Sequence, residues 1–487
     1  MSGAHASGAA LRERLDHPVI DCDGHLLEFR PAVRELFEEE AGRGLLPAFD
    51  MMLDVWSLAR RMTPDAMRNA GLFRMTWWGF PAARTHDRAT AMLPRLLHER
   101  LDELGIDFAV LYPTYGLGAL SVDDEAVRRA SARAYNRYLA EVTAGLGDRL
   151  TAAAVIPMHT PGEALDALEH AVRALGFKVA VLAGHVRRPL APNDGFDAAS
   201  VPRAAGWIDT FGLDSPHDYD PVWAKCIELG IAPTFHSSAM GWPGRASVSS
   251  YVLNHVGNFA AAGEATCRSL VLGGVTRRFP ALRCAFLEGG AGWATTLLAD
   301  LLGHWEKRGA HHIREYDPAA IDLAALRERI AKYGDRRTLA HAGALEAELG
   351  VLAGPGVGAD ADAGALDELA ACGIAERADL VHRFVEPFHF GCEADDPLTP
   401  LAFDRRANAL GTRLKAVFGS DVGHWDVPDM RDVLAEALEP VEDGRMTPDD
   451  FRAFVFDNPL SLWCGANPRF FDGTRVEGAV RAALTGR

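Results

Sequence analysis

A chain of 487 residues, 48% of them hydrophobic, has material for a large buried core, either one elaborated barrel or about three ordinary domains. Fifty basic against 67 acidic residues leave a net charge of −17 with no Lys/Arg-rich run, which argues against a nucleic-acid groove or an anionic membrane surface as partner. No segment offers the roughly 18 uninterrupted apolar residues of a membrane span, and the seven scattered cysteines contain no C-x-x-C pair, which speaks against a disulfide framework and a thiolate zinc site.

In chain order, residues 1–18 are Ala/Gly-rich and then charged, without an apolar signal core, and read as a flexible arm of a cytoplasmic protein. Residues 19–28, Val-Ile-Asp-Cys-Asp-Gly-His-Leu-Leu-Glu, read as a short buried strand that ends by presenting Asp21, Asp23, His25 and Glu28. Strand alternation puts Asp21, Asp23 and His25 on one face and Cys22 and Gly24 on the other. Residues 29–105 read as mostly helical, and 51–98 as a helical apolar cap. The section from Met51 to Phe80 holds five of the eleven Met and three of the ten Trp (Trp56, Trp77, Trp78). A helical pair packed on the main body and a lid over an apolar substrate are both open for it.

A strand-helix rhythm follows. Strands are predicted at 108–113, 150–157, 177–183, 231–236, 283–287, 389–392 and 414–419, with helices at 124–146, 161–175, 219–229, 250–267, 293–307 and 401–410, and further helices after Pro428 and Pro448. Residues 185–216 read as an inserted loop, 308–383 as an insertion with a mobile Gly/Ala/Asp centre at 354–364, and 473–487 as a C-terminal tail. With the strand at 19, these make eight strands, the count of an α/β (β/α)8 TIM-type barrel with helical insertions over 19–472. Chemistry in such barrels sits at strand ends. The polar residues there are Asp23, His25, His236, Glu288 and Asp421.

Four phrases in the right order carry a resemblance: Asp21-Cys-Asp-Gly-His25, Phe235-His236, Phe279-Pro-Ala-Leu-Arg continuing to Glu288-Gly-Gly-Ala-Gly-Trp293, and Phe418-Gly-Ser-Asp421-Val-Gly-His424-Trp-Asp426. The chain resembles the amidohydrolase superfamily, in its amidohydrolase-related branch that includes aminocarboxymuconate-semialdehyde decarboxylase. That resemblance implies Asp23, His25, His236 and Asp421 as metal ligands. It departs from the family pattern twice. Asp23-x-His25 stands where His-x-His is usual, and Glu288 where the decarboxylases have a catalytic His. Each departure exchanges imidazole for carboxylate.

The candidate metal ligands are thus Asp23, His25, Glu28, His236, Glu288, His304 and Asp421, with Glu288, Asp421 and His424 as candidate catalytic groups. His424 is read as orienting Asp421 or touching substrate. Lys178 is either a bridging lysine or a strand lysine reaching solvent. Oxygen-rich ligation favours iron or manganese over a His-rich zinc centre. The leading expectation is two iron ions, with zinc or manganese as alternatives. A narrower resemblance, to di-iron hydroxylases of diterpenoid biosynthesis on this fold, implies O2-dependent hydroxylation of a bulky apolar substrate with an external electron donor. The alternative is hydrolysis or non-oxidative decarboxylation of a carboxylated substrate. A homodimer is left open as a further partner.

Overall fold

The computed structural model describes residues 7–59, 61–70, 72–74, 79–190, 206–237, 241–244, 247–309, 312–316, 320–352 and 367–486. Its strands are β1 (Ile20–Leu26), β2 (Phe108–Pro113), β3 (Leu150–Ile156), β4 (Val179–Leu182), β5 (Val186–Pro189), β6 (Gly206–Asp209), β7 (Pro233–Phe235), β8 (Cys284–Phe286), β9 (Phe388–Glu393) and β10 (Ala416–Gly419). Eight of them, β1 to β4 and β7 to β10, pair in that order and in parallel. These are the eight predicted strands, arranged as a (β/α)8 barrel. Their near-continuous apolar runs are buried on both faces, as a parallel sheet between a packed interior and an outer ring of helices requires.

The barrel is drawn shut where its last strand meets its first. The Asp421 amide donates to the Asp23 carbonyl at 2.9 Å, and the His25 amide donates to the Val422 carbonyl at 3.1 Å. A Cβ at Gly419 would lie 2.9 Å from the Cβ of Asp23, so the two strands approach this closely only because glycine stands there.

The intervening helices form where local chemistry starts and stops them. Asp124 caps Glu125–Val142 by accepting from the Val127 amide, and Thr160 caps Pro161–Glu169 from the Glu163 amide. Gly230, in left-handed backbone, ends Asp220–Leu229. In the cap, Phe49 on helix Leu46–Ala59 stacks on Phe37 of helix Arg30–Ala41 at 4.4 Å, which fastens it to the barrel's outer ring. The side chain of Trp56 and all of Trp77 and Trp78 lie outside the described residues, as does the 354–364 centre of the insertion.

Several expectations are corrected. Strict alternation on β1 fails, because a bulge between Asp21 and Gly24 sets three β1 steps against two on β2. Asp21 is thereby turned to the side of Gly24, whose added Cβ would meet Asp21 Oδ2 at 2.9 Å. The 185–216 segment is not only loop, since β5 and β6 form an antiparallel hairpin. The helix expected at 401–410 is replaced by short turns at Thr399–Ala402 and Ala409–Gly411. There the Asn408 side-chain amide donates to the carbonyls of Leu401, Ala402 and Asp404, acceptors that a helix would give to backbone amides.

Helices lie near both ends of the described residues. From Ser7 the arm forms helix Gly8–Arg12, buries Leu11 and pairs Arg12 with Asp107. The tail carries helix Glu477–Thr485, held by buried Val476 and Val480.

Candidate metal centre

Strand ends bring five carboxylates and three imidazoles to one mouth of the barrel. Asp23 and His25 come from β1, His236 follows β7, Glu288 follows β8, Glu393 ends β9, and Asp421, His424 and Asp426 follow β10. Ser237, Glu288 and Asp421 have φ values of 51°, 56° and 47°. A non-glycine residue in left-handed backbone is held there only by its surroundings. Here three such residues lie within two positions of a strand end, where the chain turns sharply over the site.

The atoms converge tightly. His25 Nε2 lies 3.1 Å from His236 Nε2, 3.5 Å from Asp23 Oδ1 and 3.3 Å from Asp421 Oδ1. His236 Nε2 is 2.9 Å from Glu288 Oε2 and 3.9 Å from Asp23 Oδ1. His424 stacks on His25 at 3.6 Å, sets Nδ1 2.7 Å from Asp421 Oδ1, and reaches Thr114 Oγ1 with Nε2 at 3.2 Å. Tyr112 lies alongside His25 and His236, with ring centroids 6.2 and 6.1 Å away.

Burial dominates the electrostatics. It pushes the Asp23 carboxyl well up, against the pull of His236 and with Glu288 adding repulsion. It pushes Asp421 well up too, reinforced by Asp426 and Glu288, and Glu393 likewise beside Asp426 and Glu288. Asp426 is raised by burial to about 6. His25 and His424 are held well below the usual imidazole range by desolvation and by neighbouring imidazoles. Burial would lower His236 as well, but the Glu288 and Asp23 carboxylates outweigh it and bring it up to about 9.

Asp23 Oδ1 is buried and receives no hydrogen bond, while the buried oxygens of Asp421, Glu288 and Asp426 face imidazole nitrogens or, between Asp421 and Asp426, one another. Among the described residues, the basic groups in ion-pair range of Asp23, Glu288 and Asp421 are histidines, not lysine or arginine. Buried acceptors left unpaired are costly, and lone pairs that converge on each other are satisfied together by a metal ion. Asp23, His25 and His236 offer atoms within 4.8 Å of one another, as do His25, Glu288, Asp421 and His424. The residues present fit a metal.

Two candidates are not brought to this centre. Glu28 accepts instead from the amides of Thr114, Tyr115 and Gly116 at 3.2, 2.9 and 2.8 Å, and so holds the turn after β2. His304 is exposed on helix Gly292–Arg308, with Nδ1 2.7 Å from the Asp300 carbonyl, because the helix carries it to the outside of the barrel. Lys178 precedes β4 at the opposite end, where Nζ donates to the Phe470 carbonyl at 2.8 Å.

Two other acids were missed. Glu393 ends the seventh barrel strand, so the strand-end rule that yielded Glu288 would have found it had it been applied to that strand. Asp426 sits in a turn with no periodic signal. Glu288 and Glu393 also line a cavity of about 270 Å3 with His255, Phe259, Asp395 and Asp396.

The model of the amidohydrolase family matches residues 20–464, nearly the whole barrel. The chain belongs to the amidohydrolase family. Among solved structures, an amidohydrolase from Mycobacterium avium subsp. paratuberculosis K-10 is similar at 20% identity, covering 92% of this chain and 100% of that one with a TM-score of 0.52. A 2,6-dihydroxybenzoate decarboxylase from Rhizobium matches at 14% identity, covering 92% and 98%, with a TM-score of 0.45. A 4-oxalomesaconate hydratase from Rhodopseudomonas palustris matches at 15%, covering 95% and 99%, also at 0.45. At these identities the likeness is one of fold. The chain is thus a metal-dependent type of amidohydrolase-family enzyme. No helix among the described residues is long and apolar enough to cross a membrane.

Proposed function

We propose that this enzyme performs hydrolysis or non-oxidative decarboxylation at the barrel mouth, with Asp23, His25, His236 and Asp421 holding a divalent cation and Glu288 moving the proton. The observation that carries the proposal is the convergence of buried carboxylate oxygens on imidazole nitrogens, with histidines as the basic groups beside them. A cation bound there supplies Lewis acidity toward a carbonyl or carboxylate and lowers the pKa of water. Glu288 is the group that both meets His236 and borders the cavity, so it stands between the ligand cluster and the space for substrate. In hydrolysis it takes a proton from the attacking water. In decarboxylation it returns one to the carbon that loses CO2. His424, set between Asp421 and Thr114, orients the Asp421 carboxylate. The mixed nitrogen and oxygen donors suit manganese, iron or zinc.

A second reading has one specific observation in its favour. The five carboxylates and three imidazoles include enough donors for the four carboxylates and two histidines of di-iron carboxylate proteins, although those are helix bundles. Under that reading the chain hydroxylates a bulky apolar substrate with O2 and draws electrons from an external donor.

Turnover of a panel of carboxylates, esters and amides, assayed with and without O2 on metal-loaded protein, tests the choice. CO2 release or hydrolysis under anaerobic conditions, lost in Glu288→Gln with metal content unchanged, supports the first reading. Strict dependence on O2 and reductant overturns it in favour of the second.

A further inference from the structure

We infer that His255 is a second proton-transferring residue of this enzyme, one that takes over the proton Glu288 draws from water and delivers it to the leaving group. The inference rests on the hydrolytic reading above. His255 and Glu288 line the same cavity of about 270 Å3, so a substrate that fills it meets both side chains. His255 ends helix Tyr251–His255, which Ser250 caps by accepting from the Leu253 amide at 3.2 Å. A helix this short is held in place by Asn254. That fully buried side chain accepts from the Ser247 amide at 2.6 Å and donates to the carbonyls of Ser247 and Arg74 at 2.8 and 2.6 Å.

A structural histidine has a simpler account, in which a ring nitrogen bonds to a carbonyl. His17 and His304 do so, each setting Nδ1 against a backbone carbonyl. His255 differs: its Nε2 is buried and makes no hydrogen bond, and its ring packs edge-to-face with Phe259 at 5.9 Å and Trp425 at 5.4 Å. Phe259 in turn meets His236 edge-to-face at 5.5 Å. This packing fixes the ring and leaves its proton chemistry unused. The titratable groups whose charge reaches it are Glu288, after β8, and His424, after β10. Burial favours the neutral ring and the Glu288 carboxylate favours the imidazolium, the opposition that a proton relay needs. The transfer closes on itself. Glu288 takes a proton from water as the water oxygen bonds to the carbonyl carbon. The Glu288 carboxyl passes that proton to the His255 ring and returns to carboxylate. The imidazolium gives it to the leaving nitrogen or oxygen as the bond from the carbonyl carbon breaks, and the ring is neutral again. One water is consumed.

The experiment uses the whole chain loaded with zinc and two probes, 4-nitrophenyl acetate and 4-nitroacetanilide. 4-Nitrophenolate leaves without a proton, whereas an anilide nitrogen must receive one. His255→Gln is therefore expected to slow the anilide on the order of 100-fold more than the ester, with zinc content unchanged, and Glu288→Gln to slow both. His255→Asn serves if the Gln variant does not fold. The His255 ring signal in nuclear magnetic resonance, assigned by its loss in the variant, is expected to titrate at lower pH in Glu288→Gln, because the carboxylate that favours the imidazolium is gone. Equal slowing of ester and anilide, or no slowing, overturns the relay and leaves the hydrolytic reading standing. An unchanged titration midpoint overturns the transfer from Glu288. A wild-type chain that turns over neither probe overturns the hydrolytic reading and the relay with it.

Discussion

Asp21 joins Ser420 across the closing seam of the barrel: Oδ1 accepts from the Ser420 amide at 2.9 Å and Oδ2 from the Ser420 hydroxyl at 2.5 Å. Oδ1 also accepts from the Asp23 amide at 3.0 Å. One carboxylate thus fixes the backbone beside two candidate ligands, Asp23 and Asp421, from opposite sides of the seam. Burial lifts it to about 6 while these hydrogen bonds pull it down.

Asp21→Ala is expected to destabilise the fold by about 3 kcal/mol, because two buried amides lose their acceptor. It is also expected to weaken metal binding by about 10- to 100-fold, the usual cost of losing support behind a ligand. Asp21→Asn keeps an acceptor for the amides and should recover most of both. Thermal unfolding with and without metal, plus a metal titration, checks this. Equal metal affinity in wild type and Asp21→Ala would reduce Asp21 to a purely structural role.

Glu28→Gln separates the turn-holding role from ligation. Both Glu28 oxygens accept from backbone amides, so the new side-chain NH2 must face an N–H. The expected loss is about 1–3 kcal/mol of stability with unchanged metal content. Loss of an ion from a folded Glu28→Gln protein would restore Glu28 as a ligand.

Lys178 gives the pH dependence. Burial lowers its ammonium from 10.5 to about 8. Between these values the unfolded chain binds more protons than the folded one, so stability rises with pH there. The penalty for the buried charge is fully present below about pH 8 and is relieved as pH climbs toward 10.5. Urea unfolding of wild type and Lys178→Met across pH 7–10.5 is expected to show the variant's relative advantage shrinking by about 3 kcal/mol. A constant difference would mean that the lysine is ionised equally in both states.

His236→Ala and His304→Ala form a matched pair. The first is expected to lose metal while staying folded, since strand-end residues serve chemistry and the packed interior supplies stability. The second, on an exposed helix face, should keep its metal and stay within about 0.5 kcal/mol of wild type. Elemental analysis and thermal unfolding of both proteins decide, and metal loss in His304→Ala would place that helix at the centre after all.

What the sequence determined by itself was the barrel and its rim. Apolar runs of strand length separated by helical periods are local signals, repeated eight times, and the polar residue ending a run such as Phe235-His236 or Phe418-Gly-Ser-Asp421 is visible without tertiary knowledge. Which way a side chain points after the run ends is a different matter. The β1 bulge turned Asp21 away from Asp23 and toward Ser420, nearly 400 residues distant in sequence. Glu28, three residues past His25, was claimed by amides of the turn after β2. Glu393 and Asp426 joined the site because β9 and β10 are neighbours in space, and His304 left it because its helix lies outside the barrel. Local periodicity encodes element type. Bulges, left-handed strand ends and the competition of distant backbone groups for a carboxylate are settled only when the sheet closes.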